Sequence, residues 1–208
     1  MPAKRIRPVI GPNSGRDEVA VYISHALATS DVVRISRAIR KVMFLHPITD
    51  IAKKSGVERT SLYRAFGPKQ YPHFTTVLNV LDAMGLQLKV TVRTLGVQRK
   101  LIAKRINPAI GANSSRREMA AHISHALATS DIVRISLGIR DVILLHSIPD
   151  LAKISGVERQ SLYRAFGGKY YPQFTTVLNV LDAMGLQLRV IASGSGTLGE
   201  HTKERAED

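Results

Sequence analysis

The chain contains no cysteine in its 208 residues, which excludes disulfides and thiolate-held metals and is compatible with a cytoplasm. Acidic residues are also scarce. Sixteen Asp and Glu stand against thirty Lys and Arg, giving a formal charge of +14 and a pI near 10.4. No apolar run approaches the roughly 18 residues of a membrane span, and no signal-peptide core follows Met1. Membrane insertion and export are therefore not expected, and a cytoplasmic location is. There is no phosphate-cradling glycine loop and no nucleophile set beside a base, so neither catalysis nor a cofactor is expected. A soluble protein this basic typically meets phosphate: nucleic acid first, anionic membrane second.

What the chain does contain is one unit written twice. From Ala3 to Val90, position n matches position n+100 at about 65 of 88 places without a gap. The copies drift apart near Thr91 and Ile191, and Thr94-Leu95-Gly96 returns as Thr197-Leu198-Gly199 after a short Gly/Ser insertion. The period is too long for a stacked solenoid and two copies are too few, which leaves a fused pair of small domains. Each copy barely suffices for a core of its own, so packing between the copies should matter. They are unequally charged: 17 basic and 6 acidic residues in 1–100, against 13 and 10 in 101–208. Part of that difference is the acidic tail of Glu200, Glu204, Glu207 and Asp208.

Residues 1–16 carry Lys4, Arg5, Arg7 and Arg16 among Pro8, Gly11, Pro12 and Gly15, the composition of a basic, irregular arm. From Asp17, Val19, Ala20, Ile23 and Leu27 recur at helical spacing. Ser30 is the expected N-cap of a second helix with the stripe Ile35, Ile39, Val42 and Met43. A helix over Ile48–Lys54, a turn at Ser55-Gly56 and a short helix from about Glu58 to Phe66 follow. Phe74, Val77, Leu78, Leu81 and Met84 line one face of a fifth helix that Gly85 closes. The period then changes to two: Leu86, Leu88, Val90 and Val92 alternate with Gln87, Lys89, Thr91 and Arg93, as in a half-buried strand. A lone strand needs a partner. The economical one is Leu186–Val190 of the other copy, paired across a pseudo-twofold axis. The roughly 24 residues before the next helix, near Arg117, average about 27 Å as coil, extend to nearly 80 Å, and give an effective concentration of about millimolar. They permit pairing within one chain without dictating its geometry.

Ile51-Ala52, Gly56-Val57, Leu62 and Ala65 form the skeleton of a helix-turn-helix. Ala52 must be small where the second helix crosses the first, and Gly56 sits in the tight turn, where a Cβ would strain the backbone. Ile51, Val57, Leu62 and Ala65 face the core. Glu58, Arg59, Thr60, Ser61, Tyr63 and Arg64 then point outward, where a major groove would lie. The second copy repeats the pattern with Leu151-Ala152, Gly156-Val157, Leu162 and Ala165, and outward Glu158, Arg159, Gln160, Ser161, Tyr163 and Arg164.

The runs from Asp50 to Gly67 (DIAKKSGVERTSLYRAFG) and from Phe74 to Leu88 (FTTVLNVLDAMGLQL) resemble the addiction-module antidote proteins. These are bacterial antitoxins with a phage-repressor-like helix-turn-helix, encoded beside RelE-like toxins. The resemblance covers about 17–92 and again 117–190, and is most specific in Ser-Leu-Tyr-Arg-Ala and in the Met-Gly-Leu-Gln-Leu ending. It implies an all-helical DNA-binding fold, operator binding as a dimer, and autorepression. Members of that family are usually a single unit, and a fusion of two mimics their dimer.

Arg59, Arg64, Arg159 and Arg164 are the foremost candidates for DNA contact, since arginine pairs bidentately with guanine or grips a phosphate. The competing reading is a solvated face beside Glu58. Thr60, Gln160, Ser61 and Ser161 share that face. Tyr63 and Tyr163 suit a thymine methyl or a phosphate, or are simply half-buried helix tyrosines. Lys69 and Lys169 follow the recognition helix and suit phosphate, as do Thr75 and Thr175 at the next helix N-terminus; the alternative is an ordinary exposed loop. Lys4, Arg5, Arg7, Lys104 and Arg105 either track the backbone or a minor groove, or only add non-specific charge. His25, His46, His125 and His146 lack acidic partners at ligand spacing, so no metal site is expected. Asp31, Asp50 and Asp82 read as caps or surface charges.

The expected architecture is mainly α: two phage-repressor-like helix-turn-helix domains, each of about five helices followed by one C-terminal strand. The expected boundaries are 1–93 for the first domain with its arm, 94–116 for a linker, 117–193 for the second domain, and 194–208 for a tail. The expected function is a sequence-specific regulator that binds double-stranded DNA as a covalent pseudo-dimer on an imperfect palindrome. The alternative is an antitoxin or antiactivator whose partner is a RelE-like toxin or another regulatory protein. Further pairing of two whole chains is left open.

Overall fold

A computed structural model describes residues 10–67, 71–93 and 114–194. The first copy runs α1 (Arg16–Leu27), α2 (Val32–Met43), α3 (Ile48–Ser55), α4 (Arg59–Ala65), α5 (Phe74–Ala83) and β1 (Leu86–Val92). The second runs α6 (Arg116–Ala128), α7 (Ile132–Ile143), α8 (Ile148–Ser155), α9 (Arg159–Ala165), α10 (Phe174–Ala183) and β2 (Leu186–Ala192). Each copy is thus five helices ending in a strand, as the change of period predicts. Phe66, Phe74, Ile23, Ile35, Ile39, Leu62 and Leu81 are almost fully buried at the centre of the first copy, and their equivalents fill the second.

Two local expectations are corrected. The cap of α2 is Asp31, not Ser30. Its extended backbone lets the carboxylate accept from the amides of Val33 (2.9 Å) and Arg34 (3.2 Å). Ser30 sits instead at φ 53°, and Ser130 likewise, in the left-handed turn that leads to the cap. The arm is also not irregular through residue 16. Ile10 is buried at 5% exposure and joins the core, and Gly11 to Ser14 form a turn closed by mutual hydrogen bonds of 3.1 Å. Burial of Ile10 and the closed turn together offset part of the cost of ordering that short stretch. The arm residues 1–9 and 104–105, and Lys69, lie outside the described residues.

β1 and β2 pair antiparallel, with Leu86 opposite Ala192 and Lys89 opposite Arg189. Residue 89 thus faces its own repeat equivalent, which places the pseudo-twofold axis there. The axis is marked again at the other end of the contact. His73 bridges Gln173, the amides of Phe74 and Phe174 donate to the carbonyls of Pro172 and Pro72, and the two Phe rings stack with centroids 6.1 Å apart.

The copies are interlocked rather than merely adjacent. α1 packs on β2, the strand of the other copy, and α6 packs on β1. Ser24 on α1 accepts from the Val190 amide (2.9 Å) and donates to its carbonyl (3.1 Å). Ser124 makes the same pair with Val90 at the same distances, its proton shared with the Ala120 carbonyl. A two-stranded ribbon is marginal in water and leaves outward edges unpaired. Here helices cover one face, and a serine satisfies each outward edge at its middle. Beyond β1, Arg93 is 8% exposed, ion-pairs with Asp182 of the other copy, and donates to Ser30 Oγ and the Ala28 carbonyl. Its equivalent is Ser193, so this lock exists on one side of the axis only.

Candidate nucleic-acid interface

α3 ends at Gly56, which adopts the left-handed conformation (φ 66°, ψ 15°), and Gly156 repeats it at φ 67° and ψ 17°. An L side chain there would be strained, which ties glycine to this turn. Ser55 braces the turn: its hydroxyl accepts from the Val57 amide (3.3 Å) and donates to the Ala52 carbonyl (3.4 Å). Ser155 does the same for Val157 and Ala152. The sequence pattern placed Ser55 in the turn without giving it this role, although a Ser two residues before the turn's end is a recognisable brace.

The turn sends α4 across α3. Leu62 and Ile51 are buried, Val57 and Ala65 half-buried, and Ala52 packs half-buried against the core. What remains is a face: Glu58, Arg59, Thr60, Tyr63 and Arg64 are exposed, and Ser61 is half-buried at its edge. Residues 59, 60, 63 and 64 lie on one side of a helix, because positions four apart stack above one another. In α9, Glu158, Arg159, Gln160, Tyr163 and Arg164 are exposed and Ser161 half-buried, the same arrangement. Beside α9 runs an open groove of about 760 Å³ lined by Lys153, Gly156, Glu158, Arg159, Gln160 and Tyr163. Lys169 is exposed in the loop after α9, while Thr75 and Thr175 are half-buried in the first turns of α5 and α10. Each face carries two arginines and a single carboxylate, at its edge.

One participant escaped the sequence reading. Phe44, just past α2, lies 5.8 Å from the ring of Tyr63, and the Arg59 guanidinium sits 5.9 Å over that same tyrosine. An exposed phenylalanine one step beyond a buried stripe was the available signal.

The histidines do not converge. His25, His46 and His125 are exposed and His146 is half-buried. Burial, and then the nearby Arg116 charge, hold the His146 imidazole below its ordinary pKa. Its Nε2 is enclosed without a hydrogen-bond partner. Among the described residues no group of three His, Cys, Asp or Glu side chains is placed to hold a metal, and no helix is long and apolar enough to cross a membrane.

A family profile described as "Probable addiction module antidote protein" matches residues 13–92 and again 110–192. The chain belongs to this antidote family. The two matched segments coincide with the two copies, so the chain carries the family unit in tandem. A curated relative, an uncharacterized protein of Haemophilus influenzae (strain ATCC 51907 / DSM 11121 / KW20 / Rd), is 29% identical over 77 residues. That stretch is 37% of this chain and 79% of the relative, about one copy's worth. No solved structure matches.

Proposed function

We propose that the protein is a sequence-specific DNA-binding regulator whose two helix-turn-helix units act as a covalent pseudo-dimer on an imperfect palindromic operator. The observation that carries this reading is the pair of exposed, arginine-bearing faces on α4 and α9, related by the axis through Lys89 and Arg189. Recognition helices paired about a twofold suit half-sites centred about 10 base pairs, one helical turn, or a multiple apart. Arg59, Arg64, Arg159 and Arg164 contact bases or phosphates, Thr60, Gln160, Ser61, Ser161, Tyr63 and Tyr163 complete the reading faces, and Lys69 and Lys169 hold backbone phosphates. The chain organises as a first domain over 1–93, a linker over 94–116, a second domain over 117–193 and a tail over 194–208. In this role it needs no cofactor and catalyses nothing.

The test is a binding titration on DNA from the protein's own promoter. With each neutralised phosphate contributing about −0.9 to the slope of log K against log salt, affinity should fall steeply between about 50 and 200 mM. A flat response removes DNA as the main partner. Arg59→Ala and Arg159→Ala should each weaken specific binding by roughly 1–3 kcal/mol while sparing random DNA. The family description, an antidote, supports a second reading: an antitoxin or antiactivator whose main partner is a toxin, RelE-like as the sequence resemblance implies, or another regulatory protein. Co-purification with the product of a neighbouring toxin-like gene, without any operator shift by the chain alone, would favour it.

A further inference from the structure

The outward faces of α4 and α9 differ in residue type only at Thr60 against Gln160, yet their side chains are not held alike. In the first domain four side chains form a continuous stack. Arg40 lies 5.4 Å over Phe44, the Phe44 and Tyr63 rings are 5.8 Å apart at an interplanar angle of 34°, and Arg59 lies 5.9 Å over Tyr63. The stack runs from the end of α2 to the first turn of α4. In the second domain Leu144 replaces Phe44 and offers no ring face to a tyrosine or a guanidinium. Arg140 turns toward Asp141 at 3.9 Å, and its Nε is enclosed without a partner. Tyr163 is 57% exposed, against 39% for Tyr63.

We propose that Phe44 is a positioning residue for DNA reading: it braces Tyr63 and, through it, Arg59, so that the first domain reads its half-site stringently and the second permissively. The inference rests on the DNA-binding reading above. A side chain already held in one rotamer surrenders less entropy on contact, and an off-register base cannot be met by reorienting it. The first domain is also the more cationic of the two. Arg37, Lys41 and Lys54 of the first domain stand where the second has Leu137, Asp141 and Ile154. A chain with one stringent, more cationic half occupies its operator in a single orientation, which a homodimer of identical halves cannot do.

The experiment selects sites from a random DNA pool with wild type, Phe44→Leu, Leu144→Phe and Phe44→Tyr, while NMR relaxation follows the order of the Tyr63 and Tyr163 rings. Wild type should select sites with one sharp half and one loose half. Phe44→Leu should loosen the sharp half, cutting discrimination there by about three- to ten-fold, and should mobilise Tyr63. Leu144→Phe should sharpen the loose half and order Tyr163, and Phe44→Tyr should retain the wild-type pattern. If Phe44→Leu lowers the melting temperature, the gain from Leu144→Phe decides the matter, since lost folding cannot sharpen a site. A wild type that selects no sequence overturns the DNA reading and this inference together. Two equally sharp halves, or sharpness unmoved by either leucine–phenylalanine exchange, overturn the inference and leave the DNA reading standing.

Discussion

The two copies share most of their core residues and, save Thr60 against Gln160, the residues of the outward faces of α4 and α9, and they diverge more around that frame. Leu62 and Leu162, Phe66 and Phe166, Phe74 and Phe174 are buried alike, and Arg59, Tyr63 and Arg64 return as Arg159, Tyr163 and Arg164. The differences gather elsewhere: Phe44 against Leu144, Lys54 against Ile154, Gly15 against Ser115, Arg93 against Ser193. A homodimer meets its axis with two identical surfaces, so any change near the axis occurs twice. A fused chain changes one side at a time. Arg93 shows the consequence. Its lock onto Asp182 crosses the axis once, and nothing in the other copy answers it from position 193.

The largest effect should come from breaking the ribbon that joins the copies, and the register says where. Val90 and Val190 turn their amides and carbonyls outward to Ser124 and Ser24, while Arg93 donates to Gly185 across the pair. The backbone amides and carbonyls of even-numbered residues of β1 therefore point away from β2, and those of odd-numbered residues hold the ladder. Proline at Leu88 would spare the ladder, whereas Lys89→Pro removes a donor on the axis itself. Lys89→Pro should cost about 3 kcal/mol of stability and weaken operator binding at least about ten-fold, with each copy still helical. Chemical denaturation followed by circular dichroism, beside a binding titration, checks it. Binding and stability left as in wild type would show that the contact at Phe74 and Phe174 alone holds the copies.

Arg93→Ala should cost somewhat less, about 1–3 kcal/mol, because Asp182 loses its buried partner but keeps some access to water. The comparison sharpens with the reverse exchange. Ser193 donates its amide to Gly85 as Arg93 does to Gly185, and its hydroxyl is buried without a partner. Ser193→Arg would project toward Asp82, so it should be neutral or stabilising by up to about 1 kcal/mol. A double variant, Arg93→Ala with Ser193→Arg, should recover part of the loss. If it recovers none, the two sides of the axis are not equivalent in packing.

These cases also mark how far residues alone disclose the molecule. The five helices, the terminal strand and the cross-copy pairing were legible because apolar spacing changes from 3.6 to 2 at Gly85, and a single strand demands a partner. The outward face of α4 was legible for the same reason: once Ile51 and Leu62 are assigned inward, helix geometry exposes residues 59, 60, 63 and 64. Ser24 and Ser124 were not legible. Their bonds join residues 166 and 34 positions apart, and a helical serine near apolar neighbours carries no sign of the strand it will meet. Ser30 misled because Asp31 beside it is an equally good cap, and only the turn decides which residue takes the left-handed backbone.

A smaller effect concerns pH. Burial, and then the Arg116 charge, lower the folded pKa of His146 below its unfolded value, near 6.5. As pH falls from about 6.5 toward the folded value, the unfolded chain takes up a proton that the folded chain resists, so unfolding is favoured. His146 thus contributes stability that is present above about pH 6.5 and lost as pH falls below it. Thermal unfolding between about pH 7.5 and 5 should show a slope that His146→Gln flattens. An unchanged slope would assign the acid sensitivity to other groups.

The smallest effect lies at the first turn of each copy. Ser115 caps α6 in a capping box: its hydroxyl accepts from the Glu118 amide (3.3 Å), and the Glu118 carboxylate accepts from the Ser115 amide (2.6 Å). α1 begins at Gly15 with no side-chain cap, although Glu18 already occupies the matching position three residues on. Gly15 has φ −68° and ψ 164°, an extended conformation any residue adopts, and a Cβ there meets nothing within 4 Å. Gly15→Ser therefore has both the backbone and the partner it needs to rebuild the box. Since glycine is itself a tolerable cap, the gain should be only a few tenths of a kcal/mol, and Ser115→Gly should lose about as much. Hydrogen exchange at the first-turn amides of α1 and α6 reads this more sensitively than melting. Protection should rise at the Glu18 amide in one variant and fall at the Glu118 amide in the other. Equal protection at these two amides in the wild type would mean that the capping box adds nothing to α6 that the glycine cap does not already give α1.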